Sequence, residues 1–411
     1  MSGPADRVFF TAMTDVHRII ERITPELVAL RREIHAHPEL AFEEFETSRR
    51  VEAVLRRLRG LHVQTGLAKT GVVATLNPDK PGPCIALRAE LDALPIDEMT
   101  GAAHTSKIPG KMHACGHDGH MACLVGAAMV LSEIADELPG KVKFIFQPAE
   151  ESGGGGEKLC VAGVLDAPRV DAIFALHGWP YLDLGCVGVC HGPAMAATNP
   201  WHVTIHGQGA HAAYPHRGVD PILVAAHVVT AVQSIASRHV DPLDAVVVTV
   251  ATIRAGTAGN IIPATAELGG TIRTLDAAVR QSAVERFKSL VEQTAAAFGA
   301  RASVEVQWGY PALVNDEVAC ALVSEVASEV VGTSRVADRM RPSMGGEDFA
   351  YYAERVPAAF WRLGVRRGDP EGQPTLHQAN YDFADEAIPL GVRMHCEIAR
   401  RFLKQDGRLR S

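Results

Sequence analysis

Four short runs, at 72–76, 85–91, 142–147 and 172–177, are apolar and rich in β-branched residues, and helical patterns separate them. A strand without a polar face needs cover on both sides of its sheet, and intervening helices supply both the cover and the crossovers for parallel pairing. The fold class expected is therefore α/β, with a largely parallel sheet. Residues 14–58 read as helices ahead of that sheet. Thr24-Pro25-Glu26 has the form of a helix start, with Thr as N-cap and Pro in the first turn, and His35-Ala-His37-Pro38 has the form of a break.

The pattern changes near 193–201. A strand is expected at 201–206, an almost wholly apolar helix at 221–237, strands at 245–255 and 264–274, a helix at 277–298 and a strand at 302–308. That order, β-α-β-β-α-β, is the split βαβ unit of ferredoxin-like domains. After Tyr310-Pro311 the α/β pattern resumes, with a helix at 317–331, a strand at 359–363 and a helix at 385–402. The division expected is one α/β domain from 1–198 and 310–411, with an α+β domain at 199–309 inserted in it.

The 411 residues are long enough for two or three domains, and with 47% hydrophobic and 21% charged they describe an ordinary globular protein with a sizeable core. A net charge of −8 and the absence of a long basic block argue against nucleic acid or an anionic membrane as partner. The first thirty residues hold no signal-type apolar core, and no uninterrupted apolar run approaches the roughly 18 residues of a membrane span. Eight cysteines lie scattered without a disulfide-framework spacing, so reduced thiols and a cytoplasmic location are expected.

Chemistry concentrates at Met112-His113-Ala-Cys115-Gly-His117-Asp118-Gly-His120. Thiolate, imidazole and carboxylate are donors for divalent transition metals, and the two glycines let a loop bring them together. The cluster lies between a strand and a long apolar helix, where open α/β folds keep their sites. A second strand runs into Gln147-Pro-Ala-Glu150-Glu151 and the glycine run 153–156. Two adjacent carboxylates at a strand end point apart, so one can bind metal while the other moves protons. No Gly-Lys-Ser/Thr follows the glycines, which excludes the usual phosphate loop. His177 ends the strand at 172–177, and His377 lies in a loop of the last segment. In the insertion, His211 and Asn260 occupy glycine-rich turns and Arg273 lies near a strand end, donors suited to an oxyanion and to a substrate carboxylate. The signatures of helix-borne zinc proteases, zinc deaminases and serine hydrolases are absent.

In order along the chain, Arg88-Ala-Glu-Leu-Asp92-Ala-Leu-Pro-Ile96, the 112–120 cluster, Gln147-Pro-Ala-Glu-Glu151, Gly209-Ala-His211, Gly259-Asn260-Ile-Ile-Pro263, Gly270-Thr-Ile-Arg273 and Glu347-Asp-Phe-Ala-Tyr351 resemble the amidohydrolase branch of the aminoacylase and carboxypeptidase G-type metallopeptidases. That branch includes hippurate hydrolases, N-acyl-amino-acid amidohydrolases and auxin-conjugate hydrolases. The resemblance spans about 25–400. It implies a catalytic domain holding two divalent metals, with the inserted domain as lid and dimer contact. Carried over by position, Cys115, His117, Glu151, His177 and His377 resemble the metal ligands, Glu150 the general acid/base and Asp92 the carboxylate that orients a ligand. His211 and Asn260 resemble the residues that polarise the scissile carbonyl, often from the partner subunit, and Arg273 the clamp for the substrate carboxylate. His113, Asp118 and His120 are left to hold the loop or support the ligands. Where other branches carry a histidine ligand this chain has Glu90, and Cys115 supplies the missing donor. Thiolate favours zinc, while a mixed site also accepts manganese, cobalt or nickel.

The activity so implied is hydrolysis of the amide bond of N-acyl amino acids to a carboxylic acid and an amino acid, in a homodimer or dimer-based oligomer. A metallo-dipeptidase or carboxypeptidase, or a deaminase of an aromatic amine, would use the same metals and base. A non-catalytic binding protein is the reading from another class, and the completeness of ligand, base and lid positions argues against it.

Overall fold

The computed structural model describes residues 5–409, with side chains from Val16 onward. The earliest side chains, on which the expectation of no signal-type segment partly rests, lie outside the described residues. The chain forms α1 (Ala5–Ala36), α2 (Phe45–Leu55), β1 (Leu61–Leu67), β2 (Gly71–Leu76), β3 (Cys84–Glu90), α3 (His117–Glu133), β4 (Lys141–Gln147), α4 (Gly155–Val161), β5 (Ala172–Asp183) and β6 (Val187–Val189). It continues through β7 (Ala197–His206), α5 (Pro221–Val232), β8 (Val246–Ala255), β9 (Thr265–Thr274), α6 (Ala277–Ala297) and β10 (Arg301–Val306). It then makes α7 (Glu317–Val331), β11 (Val336–Ala337), β12 (Ala358–Arg366) and α8 (Ile388–Lys404).

The chain divides into two compact units, one of Met1–Gly192, Val314–Arg341 and Tyr351–Ser411, the other of Pro193–Leu313 and Pro342–Ala350. The second unit therefore starts at Pro193, not 199. It also takes 342–350, which the sequence reading left with the α/β domain. Ser343 N–H donates to Ala194 O and Ala196 N–H to Gly345 O, so backbone pairing holds this late segment in the second unit.

In the first unit eight strands form one sheet in the order β1-β2-β4-β3-β5-β12-β6-β11. The centre, β4-β3-β5-β12, is parallel, but β1-β2, β2-β4 and β12-β6 are antiparallel. The sheet is mixed rather than largely parallel: β2, an apolar run like its neighbours, pairs antiparallel with β4, so burial on both faces does not by itself set strand direction. β2, β3 and nearly all of β4 and β12 are buried, as their sequences demand. Glu90 pairs with Gln147 and Arg88 with Ala175, so the ends of β3 and β4 and the middle of β5 lie level. Helix α3 is buried on almost its whole circumference, against α1, α8 and the sheet.

Helix α1 corrects the expected start at Thr24. It runs through Pro25 without a break. Proline removes the N–H that would reach the carbonyl one turn back, and beside the gap the Thr24 hydroxyl donates to Ile20 O at 2.7 Å. Its C-terminal half carries Arg31, fully buried, whose Nε meets Asp118 Oδ2 at 2.6 Å while its other nitrogens reach Asp382 at 2.5 Å and Asp385 at 3.2 Å. His35 lies between Asp118 (2.8 Å) and Glu98 (3.1 Å). One cation on α1 thus ties α3 to the loop before α8.

In the second unit four antiparallel strands run in the order β8-β9-β7-β10, with α5 and α6 on one core. This is the ferredoxin-like arrangement that the β-α-β-β-α-β order implies. Asp220 and Asp276 cap α5 and α6 through their side chains. The stretch Pro221–His239 is long and apolar enough to cross a membrane by composition alone, yet Val224, Ala225, Val228 and Val232 pack into the core of this unit.

Replacing Arg31 by Met leaves Asp118 charged and buried without its main partner. Urea unfolding at neutral pH should show a loss of about 3–5 kcal/mol, and a loss below about 1 kcal/mol would show that the cluster is not structural. His35 gives a pH test of the same cluster. Burial alone would lower its pKa, but Asp118 and Glu98 push it up to about 9, above the ordinary 6.5. A raised folded pKa contributes stability below 6.5 that fades as pH rises through 9. The stability difference between wild type and His35→Gln should therefore be largest below pH 6.5 and shrink above pH 9, and a difference that grows with pH would reverse the assignment.

Candidate metal centre

The level ends of the central strands bring together residues that are far apart in sequence. Asp92 follows β3, Glu150 and Glu151 follow β4, and His177 lies within β5. His117 opens α3 behind Gly116, whose left-handed conformation turns the 112–120 loop into the helix. His377 arrives from the last segment, its N–H donating to Ala114 O at 2.8 Å beside Cys115. All of these residues belong to the first unit.

Three donor groups result: Cys115, His117 and His177; Cys115, Glu151 and His377; His117, Glu150 and Glu151. Within each group the donor atoms lie within 4.8 Å of one another. Of these three groups, Cys115, His117 and Glu151 each belong to two, so the groups overlap. Cys115 Sγ is 3.4 Å from His177 Nε2. His117 Nδ1 donates to the backbone oxygen of Asp92 at 2.8 Å, which leaves Nε2 as the nitrogen facing the other donors. Nε2 is buried and without a partner, 3.9 Å from Glu151 Oε1. That oxygen is 3.1 Å from His377 Nε2, yet buried without an aligned hydrogen bond. A buried polar atom with no partner is destabilising by about 1–3 kcal/mol, and two of them aimed into one small space fit cation ligands.

The charges agree with that fit. Burial, with Glu151 and Glu150 nearby, pushes the Cys115 thiol well above its usual range, so it ionises only beside a cation. Burial would lower the His117 pKa, but Asp92, Glu90 and Glu151 lift it to about 10. Both shifts report an excess of carboxylate over positive charge. Burial and neighbouring His120 keep His177 neutral, the form in which imidazole binds metal.

Asp92, expected to orient a ligand, receives the Glu151 N–H on Oδ2 at 2.9 Å and accepts from His117 through its own carbonyl. It braces two candidate ligands at once. Of the three cluster residues left to support the site, Asp118 faces Arg31 and His35, and His120 joins Glu90 to Gly178. Neither ring nitrogen of His113 has a hydrogen-bond partner, and the ring is buried. Glu150 is 6% exposed, so the adjacent carboxylates are not a surface pair. The glycines after them are there for space: a Cβ on Gly155 would lie 1.7 Å from Pro148 O, so only glycine lets the chain fold back over Ala149.

One supporting residue escaped the sequence reading. Glu44 is buried and accepts the Ala149 N–H at 2.9 Å and the Thr70 hydroxyl at 2.6 Å, which fixes the turn carrying Glu150. It lies more than a hundred positions away from that turn, and no local pattern marks it.

The remaining sequence-predicted residues lie in the second unit. His211 is exposed on a two-residue strand that pairs with Ile261, and Ala212 N–H donates to Asn260 O at 3.0 Å, so His211 and Asn260 come together. Arg273 does not join them. On β9, Thr265 pairs with His206 at the end from which the His211 turn departs, and Arg273 pairs with Thr198 at the other. Eight residues of strand separate the two ends by about 26 Å.

Among known proteins, the chain is 42% identical over 387 residues to an N-acetyl-L-cysteine deacetylase of Bacillus subtilis (strain 168), covering 94% of this chain and 90% of that one. It is 39% identical over 381 residues to the IAA-amino acid hydrolase ILR1-like 4 of Arabidopsis thaliana, covering 92% of this chain and 86% of the plant enzyme. Among solved structures it resembles Bacillus subtilis YXEP protein, described as a dinuclear metal-binding peptidase from the M20 family, with a TM-score of 0.81 and 34% identity over 93% of this chain and 99% of that one. Residues 86–401 match peptidase family M20/M25/M40, and the chain belongs to that family.

Proposed function

We propose that this chain hydrolyses the amide bond of N-acyl amino acids, with two divalent metals held by Cys115, His117, Glu151, His177 and His377. The observation that carries the proposal is the set of overlapping donor groups, with His117 Nε2 and Glu151 Oε1 buried between them without an aligned hydrogen bond. Relatives named as a deacetylase of N-acetylcysteine and as a hydrolase of an auxin–amino acid conjugate support the substrate class. When bound, the metals would supply Lewis acidity that brings the pKa of a water down towards about 7. Glu150 takes the proton of the attacking water and hands it to the leaving nitrogen. Asp92 holds His117 and Glu151 in register through the bonds described above. His211 and Asn260 donate to the oxygen of the scissile carbonyl, and Arg273 receives the free carboxylate of the substrate. The thiolate favours zinc, with manganese next and cobalt or nickel accommodated. All eight cysteines are free and seven are buried, in keeping with a reducing cytoplasm.

The second unit acts as lid and dimer contact in this reading. The end of β9 near the His211 turn and the end that carries Arg273 lie about 26 Å apart, longer than an acyl amino acid, which supports a reading in which His211 comes from a second copy. The edge strand β8 with Ile253, and the outward face of α5 with Ile222 and Leu223, expose large apolar side chains for that contact.

Two experiments test these roles. Glu150→Gln should retain its metals by elemental analysis and lose about 10²–10⁴ in turnover on acetyl and benzoyl amino acids. Turnover within tenfold of wild type removes Glu150 from the role of base. Refolding Glu150→Gln together with His211→Ala should restore about one quarter of wild-type activity, since half the dimers are mixed and each holds one intact site. No recovery over the separate variants, with mixed dimers present, means that His211 serves its own subunit.

A further inference from the structure

Glu90, His117 and His120 form a further group of donors close enough to hold a metal. Their hydrogen bonds give them a different task. Glu90 accepts Arg88 Nη1 on one oxygen and His120 Nδ1, at 2.8 Å, on the other. Arg88 Nε in turn donates to Gln147 Oε1 at 2.9 Å, across the β3–β4 pair. The second nitrogen of His120, Nε2, accepts the N–H of Gly178 at 2.7 Å. Both oxygens of the carboxylate and both nitrogens of the ring are engaged, and all of these side chains are fully buried. A ring that accepts at Nε2 carries its proton at Nδ1, so Glu90 sets the His120 tautomer. Burial alone would neutralise Glu90, but Arg88 and His120 hold its carboxyl well below the usual range, ready to accept.

The chain of bonds ends on His177. Gly178, whose N–H is bound by His120, accepts His177 Nδ1 on its own carbonyl at 2.8 Å. That bond leaves His177 Nε2 as the free nitrogen, directed at Cys115 Sγ. Gly178 fits tightly, since a Cβ there would lie 2.8 Å from the Phe383 ring and 3.3 Å from His120 Nε2. We propose that His120 is a positioning residue: backed by Glu90 and Arg88, it fixes the Gly178 peptide that aims the His177 ring at the metals. The affinity of the centre then depends on a histidine that touches no metal. This rests on the reading of His177 as a ligand.

The test compares His120→Gln, His120→Asn and His177→Ala as full-length proteins, each titrated with cobalt and followed by the visible ligand-field bands and by equilibrium dialysis. The glutamine carbonyl can take the place of Nε2 and accept from Gly178, whereas the asparagine side chain is too short to do so. Asparagine should weaken one of the two metals about 10–100-fold and shift the cobalt bands. Glutamine should keep the bands and stay within about threefold of wild type in affinity. If the two variants behave alike, both intact or both impaired, the relay is wrong. If His177→Ala still binds two metals with unchanged bands, the ligand reading of His177 falls instead.

Discussion

The first turn of α3 is the point on which the first unit depends. Successive residues of a helix are rotated by about 100°, so Asp118 points away from His117, while His120, three positions on, lies beside it with partners of its own. His117 faces the metal donors, Asp118 faces Arg31 and His35, and His120 faces Glu90 and Gly178. One buried turn thus joins the chemistry, the charge cluster that ties α1 to the segment before α8, and the bonds that hold β5. A shift of this turn moves all three, so the charge cluster is part of what keeps the donors converged, although Arg31 takes no part in the chemistry.

The second constraint is uncompensated charge. Glu90 is balanced by Arg88, and Asp118 by Arg31. Burial would lower the His117 pKa, but Asp92, Glu90 and Glu151 lift it to about 10, and burial with Glu151 and Glu150 nearby holds Cys115 as a thiol. Where the fold needs charges buried, it pairs them. Where the donors converge, it leaves them for a cation from outside. The same contrast separates Glu90, both of whose oxygens accept hydrogen bonds, from Glu151, whose Oε1 has no aligned hydrogen bond.

Much of this was legible in the sequence because local patterns carry it. The apolar β-branched runs gave the central strands, the β-α-β-β-α-β order gave the second unit, and the cluster at 112–120 stood out by donor density. What was hidden depends on contacts between distant segments. The Glu44–Ala149 and Arg31–Asp118 bonds join positions with no common pattern. Strands such as Val187–Val189 and Val336–Ala337, at one end of the sheet, are two or three residues long, too short for periodicity to register. Pro25 misled for a related reason: α1 packs along α3 and α8, and that burial outweighs the one hydrogen bond that proline removes. The segment 342–350 joins the second unit through backbone pairing, which its sequence does not advertise.

Two candidate elements of the centre sit on backbone that side chains rarely adopt. Ala149, just before Glu150, has φ of 53°, and the metal-ligand candidate His377 has φ of 63°. Each is destabilising by about 1–3 kcal/mol for a residue other than glycine. Both are held by bonds from elsewhere: Glu44 takes the Ala149 N–H, and the carbonyl of Ala114 takes that of His377. Glycine at either place would relieve the strain but leave the backbone free to swing in the unfolded and folded states alike. The turn before Glu150 and the backbone of His377 are thus each held by a fixed partner, Glu44 and the Ala114 carbonyl. That accounts for a centre assembled from turns and loops whose donor atoms nonetheless converge within a few ångström.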